Sequence, residues 1–163
     1  MTSEKVEKAT FAAGCFWGVE YLFSRIKGVV RSTVGYTGGT TKDPNYQQVC
    51  TGNTGHAEAV EILFDPNIIS YEELLQIFFK NHDPTTPNRQ GVDVGSQYRS
   101  AIFYHTQKQL ELAKSVISSL EKTNIFSQSI ITQIVPATQF YNAEEYHQKY
   151  FDKNGMKGCS VHN

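Results

Sequence analysis

Long apolar runs are missing from this 163-residue sequence, and so is any excess of charge of one sign. Fifteen Lys and Arg against sixteen Asp and Glu leave a net charge of −1. No long-range field therefore recruits nucleic acid or an anionic membrane surface. No apolar stretch approaches the length of a membrane span. The opening residues are polar and lack the apolar core of an export signal, so a cytoplasmic location is expected. Cysteine is scarce: Cys15, Cys50 and Cys159. An odd count in a reducing compartment argues against a structural disulfide framework. The gaps are far from C-x-x-C and the five histidines show no H-E-x-x-H spacing, so no metal centre is expected. Repeats, low-complexity tracts and linkers are also absent, which points to one domain over 1–163, and nothing demands an obligate interface, so a monomer is expected. With 39% hydrophobic and 19% charged residues the chain can bury an ordinary core.

What is there begins at Gly14-Cys15-Phe16-Trp17-Gly18. A strand-like run over 8–13 precedes it. A helix-like run over 16–27 follows, with Val19, Leu22, Phe23 and Ile26 at i, i+3, i+4 and i+7. Gly28 reads as the stop, with Arg25 and Lys27 in the last turn. Cys15 is thus placed at a helix N-terminus, where unpaired N–H groups and the macrodipole favour an anion. A thiol there loses its proton more easily, and the thiolate is the nucleophile. Phe16 and the only tryptophan, Trp17, add an apolar wall. The competing reading is a buried structural cysteine.

Strand-like runs cover 8–13, 29–36, 57–64, 100–105 and 130–135; helix-like runs cover 16–27, 71–80, 107–123 and, briefly, 143–150. Ser70-x-x-Glu73 and Thr106-x-x-Gln109 fit helix N-terminal signatures, and Asn142-x-x-Glu145 fits loosely. The order is β-α-β-β-α-β, then a further helix and strand. It predicts an α+β, ferredoxin-like two-layer sandwich: a mixed or antiparallel sheet, two helices on one face and a C-terminal coil from about residue 150. Two segments without periodicity, 37–55 and 81–98, are long enough to be functional loops.

Glu58 shares a strand face with Val60, Ile62 and Phe64. A carboxyl on that apolar face is desolvated and suited to general-acid work; a wet strand end would merely solvate it. His56 reads as a loop hydrogen-bonder rather than a base. Tyr46, Asp93 and Tyr98 sit in or beside the two long segments, where binding groups concentrate, although such residues are more often surface or packing groups. Glu144-Glu145 suits a helix first turn. Cys50 reads as a small buried residue.

Four blocks carry a resemblance. Gly14–Gly18, then Tyr46-Gln47-Gln48-Val49-Cys50-Thr51-Gly52-Asn53-Thr54-Gly55-His56-Ala57-Glu58, then the stretch from Asp83-Pro84-Thr85 to Gln97-Tyr98-Arg99-Ser100, then Ala143-Glu144-Glu145-Tyr146-His147-Gln148 run in the order of the class A peptide methionine sulfoxide reductases, which the chain resembles over almost its whole length. The resemblance implies reduction of methionine S-sulfoxide, free or in proteins, in repair of oxidised proteins. It implies Cys15 as nucleophile, Glu58 as acid, Phe16 and Trp17 as the methyl pocket, and Tyr46, Asp93 and Tyr98 as holders of the sulfoxide oxygen. It implies a sulfenic acid on Cys15, resolved as a Cys15–Cys159 disulfide that thioredoxin or another dithiol reduces, with no metal or organic cofactor. Some members have a further tail cysteine; none follows Cys159 here, so direct attack by thioredoxin is expected. Three rivals remain: a thiol peroxidase, a Cys–His hydrolase using His56 or His147, and a non-enzymatic binder of oxidised methionine.

Overall fold

The computed structural model describes residues 6–154. In chain order the elements are β1 (Glu7–Ala13), α1 (Phe16–Ser24), β2 (Val29–Thr37), α2 (Tyr46–Cys50), β3 (Ala57–Phe64), α3 (Tyr71–Lys80), β4 (Arg89–Gln90), β5 (Asp93–Val94), β6 (Ser100–Tyr104), α4 (Gln107–Lys122), β7 (Gln133–Pro136), β8 (Tyr141–Asn142) and α5 (Tyr150–Asn154). Single 3-10 turns lie at Ser96–Tyr98 and Glu145–His147. Among the described residues no helix is long and apolar enough to cross a membrane.

The main sheet runs β7-β6-β1-β3-β2-β8. Its four central strands, β6-β1-β3-β2, pair antiparallel and carry the split β-α-β order expected from the sequence. The helix α4 then returns the chain to add β7 parallel to β6, making the sheet mixed. Alternation puts Ala9 and Phe11 of β1, Val34 and Tyr36 of β2, Val60, Ile62 and Phe64 of β3 and Ile102 of β6 into one apolar cluster with α1, α3 and α4. Val49 of α2 joins them, so four helices rather than two contribute to that core. Phe11 is its hub, stacked on Phe23, Tyr71 and Phe78 with centroids 5.1–6.0 Å apart. On the alternate positions Ala12, Ala57, Ala59, Ala101 and Phe103 form a second, smaller cluster, covered by Val135, Ala137 and Phe140.

Local signals explain most boundaries. Ser70 and Glu73 form a reciprocal capping box on α3, and the Thr106 side chain accepts from Gln109 N–H at the start of α4. The first helix ends at Ser24, earlier than its apolar spacing predicts, with Arg25 as C-cap. The chain then turns through Gly28, whose φ is +106° and whose Cβ position would lie 2.7 Å from Ile69 Cγ2, so only glycine fits. The 130–135 strand starts at Gln133, because Ile131 N–H is committed to the Pro84 carbonyl. The expected helix over 143–150 is broken: a 3-10 turn is followed by Lys149 at φ +55° and then by α5, and Asn142 caps nothing. The coil expected from about 150 is helical through Asn154; the rest of it, with Cys159, lies outside the described residues.

Candidate active site

The site is assembled at the start of α1. Gly14 holds φ +95°, and a Cβ there would fall 2.9 Å from the Gln90 side chain. That contact packs the β4–β5 hairpin against the turn carrying Cys15. Gln90 is itself fixed: its amide accepts from Asp83 N–H at 2.7 Å and donates to the Asp83 carbonyl at 2.9 Å. Cys15 is the N-cap residue of α1, as the sequence predicts, and is half-buried.

Glu58 is on the helix-facing side of β3 and only 1% exposed, so the wet-strand-end reading fails. Its Oε1 accepts a hydrogen bond of 3.2 Å from Phe16 N–H, one of the orphan donors of the α1 N-terminus. The carboxyl therefore meets the N–H of the residue that follows the thiol. Tyr36, opposite Glu58 in the β2–β3 register, packs on Phe16 at 5.6 Å between centroids.

The polar shell comes from the two long segments, and both contain structure that their lack of periodicity concealed. Tyr46 opens α2, a helix missed in the sequence although Asn45-x-x-Gln48 forms a complete capping box. Asp93 lies in the β4–β5 hairpin and Tyr98 in the following 3-10 turn, with Gln97 reaching from that turn to the Cys50 carbonyl. Burial raises the phenols of Tyr46 and Tyr98 above their ordinary range, and the charge of Glu58 adds to both shifts. Tyr98 also feels Cys50, Asp93 and Cys15. Burial raises the Asp93 carboxyl as well. Both tyrosines thus remain hydroxyl donors at neutral pH beside the thiol and the carboxyl.

Phe16 is buried, whereas Trp17 is half-exposed and lies flat on Tyr150 of α5, 3.7 Å between centroids and 6° between planes. Trp17 Nε1–H donates to His147 Nδ1 at 2.9 Å. His147 is wholly buried and contacts the rings of Phe16, Tyr46 and Tyr146 too. Burial lowers its imidazole below the usual histidine range; Glu144 opposes that shift and Lys153 adds to it. Glu144 precedes the 3-10 turn instead of lying in the first turn of a helix, the place its sequence context suggests. Its Oε1 accepts from the Tyr36 hydroxyl and its Oε2 from Tyr46 N–H, both at 2.9 Å. Burial works against its charge, yet donation from Tyr46 N–H, its own N–H and Tyr36, together with His147, holds the carboxyl below its ordinary range. Neither Glu144 nor the Trp17 tie to His147 was legible, since both are made across about a hundred residues of chain.

Cys50 is exposed, not buried, because the inward position at the end of α2 is taken by Val49. His56 is the loop hydrogen-bonder expected: Nδ1 accepts from Gly39 N–H at 2.9 Å and Nε2 meets the Thr41 carbonyl at 2.7 Å. With His56 so committed and His147 Nδ1 holding Trp17, neither histidine serves as base for a Cys–His hydrolase. A cavity of about 210 Å³ also touches Cys15, lined further by Gln90, Gly18, Leu22, Phe78, His82 and Phe151.

A thiol at a helix start, a buried carboxyl on the next N–H, aromatic walls and phenolic donors are the parts the resemblance requires. The model of the family described as peptide methionine sulfoxide reductase matches residues 7–163. The chain belongs to the peptide methionine sulfoxide reductase family. The reductase is 58% identical over 153 residues to the "Peptide methionine sulfoxide reductase MsrA" of Methanosarcina acetivorans, covering 94% of this chain and 81% of that one. Among solved structures it is similar to Mxr1 from Saccharomyces cerevisiae in reduced form, with a TM-score of 0.90 and 37% identity over 98% of this chain and 92% of that one. It is also similar to Mxr1 in complex with Trx2, with a TM-score of 0.64 and 29% identity over 90% and 85% of the two chains. The reductase is accordingly a thiol-dependent oxidoreductase acting on methionine sulfoxide, and the peroxidase reading is not favoured.

Proposed function

We propose that Cys15 and Glu58 carry the reduction of methionine S-sulfoxide between them. The observation behind this is the hydrogen bond from Phe16 N–H to the buried Glu58 carboxyl, which sets an acid beside the nucleophile's own helix end. The Cys15 thiolate attacks the sulfoxide sulfur while Glu58 gives its proton to the oxygen, which is what makes that sulfur electrophilic. In sum, thiolate, sulfoxide and one proton become a Cys15 sulfenic acid and methionine: the cysteine sulfur loses two electrons and the substrate sulfur gains them. Phe16 and Trp17 receive the methyl group, and sulfur–aromatic contact favours them. Tyr46, Tyr98 and Asp93 satisfy the oxygen, whose burial is otherwise costly. The Cys159 thiol then displaces water from the sulfenic acid, giving the Cys15–Cys159 disulfide.

Thioredoxin reduces that disulfide, a step for which the Trx2 complex of Mxr1 is support. The substrates are oxidised proteins and free methionine sulfoxide. No metal or organic cofactor is required by this chemistry. A reducing compartment keeps the dithiol supplied, which favours the cytoplasm, and the unit acts as a monomer.

The test is single turnover of the pre-reduced protein with each epimer of a blocked methionine sulfoxide and no external reductant. The expected result is about one methionine per chain from the S epimer, with two thiols lost per chain. Methionine from neither epimer, with all thiols intact, refutes the assignment. A disulfide between Cys15 and Cys50 in the product refutes the role given to Cys159.

A further inference from the structure

Tyr36 stands between two carboxylates. Its backbone pairs with Glu58 across the β2–β3 ladder, where side chains of opposed residues lie about 5 Å apart. Its hydroxyl, at the far end of the ring, donates to Glu144. Both carboxylates also act electrostatically on Cys50. They differ in what holds them. Glu144 is fixed by the Tyr36 hydroxyl and Tyr46 N–H, with His147 Nε2 4.0 Å from its Oε1. Glu58 lies deeper, 1% exposed, with Phe16 N–H on its Oε1. When two carboxylates share a site and donors fix one as the anion, the other keeps its proton more readily.

We propose that Glu144 is a positioning residue for the proton of Glu58: its fixed negative charge keeps the acid loaded while Cys15 is ionised. This rests on the acid role of Glu58 proposed above. The groups around Glu58 are Phe16 N–H at the start of α1, Tyr36 from β2, Tyr46 and Cys50 from α2, and Tyr98 from the 3-10 turn, which also feels Cys15. Those that face Glu144 are Tyr36, Tyr46, Cys50, Tyr146 and His147. The tyrosines are neutral donors, and burial keeps His147 from becoming a compensating cation near neutral pH. The Glu144 side chain is 34% exposed, so water and salt screen part of its field.

The test is the pH profile of single-turnover methionine formation from the S epimer. In the wild type the alkaline limb reports loss of the Glu58 proton, and E58Q removes it. E144Q keeps both hydrogen bonds, since Tyr46 N–H donates to the amide oxygen while the Tyr36 hydroxyl turns to accept from the amide nitrogen. Its alkaline limb is expected about half a pH unit lower, so that the rate at a pH on that limb falls about threefold. E144D, which retains the charge, is expected to keep the wild-type limb. Salt at about 1 M is expected to move the wild-type limb in the same direction as E144Q does. A limb in E144Q at the wild-type pH, with or without a lower plateau, overturns the proposal, because a purely structural role changes the plateau alone. A limb that persists in E58Q overturns it too. If E144Q does not fold, the salt arm decides: an unmoved wild-type limb overturns it. A wild type that forms no methionine defeats the underlying reading of Glu58 instead.

Discussion

His82 offers a direct test of how the core beside Cys15 meets acid. Its Nδ1–H donates to the Phe78 carbonyl at 2.7 Å, and its Nε2 accepts from Ser100 Oγ at 2.8 Å. Ser100 Oγ is in turn 2.7 Å from Thr132 Oγ1. That chain suits a neutral ring; a second proton would require both hydroxyls to turn and a cation to sit beside Phe78 and Phe79, 4.4 and 6.3 Å away. Burial accordingly pushes the imidazole down to about 4, against the weaker pull of the Phe78 carbonyl and Asp83. A histidine depressed in the fold contributes stability that is complete above its unfolded value near 6.5 and is lost as pH falls toward its folded value. Between about pH 7.5 and about pH 4.5 the loss is about 2.5 kcal/mol. His82 lines the cavity beside Cys15, so the measured loss is expected to fall short of that figure. The assay is urea unfolding at both pH values for the wild type and H82Q, whose amide cannot be protonated. The wild type is expected to lose about 2 kcal/mol more than the variant over that range, with all other titratable groups cancelling in the comparison. Parallel pH dependence in the two proteins would refute the argument.

Two further outcomes are expected. Protonation of His147 places hydrogen on Nδ1 and ends its bond from Trp17 Nε1–H, so fluorescence of the only tryptophan should change on acidification with a midpoint below the usual histidine range; a midpoint at or above about 6.5, or the same transition in H147N, would contradict it. Ile62→Ala empties a fully buried site in the middle of β3 and is expected to cost about 3 kcal/mol in urea unfolding, whereas a cost below about 1 kcal/mol would mean that the core beneath the sheet is not close-packed.

Much of the fold was legible because its signals are local. The strand 57–64 and the helix 71–80 have their expected limits, since alternation marks the first and the Ser70–Glu73 box starts the second. The helix over 107–122 and the strands beginning at 29 and 100 follow for the same reasons. The two long segments hid α2 and the β4–β5 hairpin because neither element is long enough to show a period. The Asn45–Gln48 box was the one signal available for α2. The 143–150 stretch failed as a helix because its polar side chains bond elsewhere: Glu144 goes to Tyr36 and Tyr46, and Gln148 pairs with the backbone of Val34.

By itself, then, the sequence determined where the proposed nucleophile, Cys15, sits, because a helix start after a strand is written in adjacent residues. It also put Glu58 on the apolar face, because side-chain direction in a strand alternates. Only the tertiary structure decided which N–H that carboxyl meets, that Tyr36 links it to Glu144, that His147 holds Trp17, and that Cys50 faces outward. Those are contacts between residues far apart in the chain, set by how strands order themselves in the sheet and how the 144–149 segment folds back onto β2 and α1. No local pattern encodes such closure; it exists only when burial of the shared core has brought the segments together.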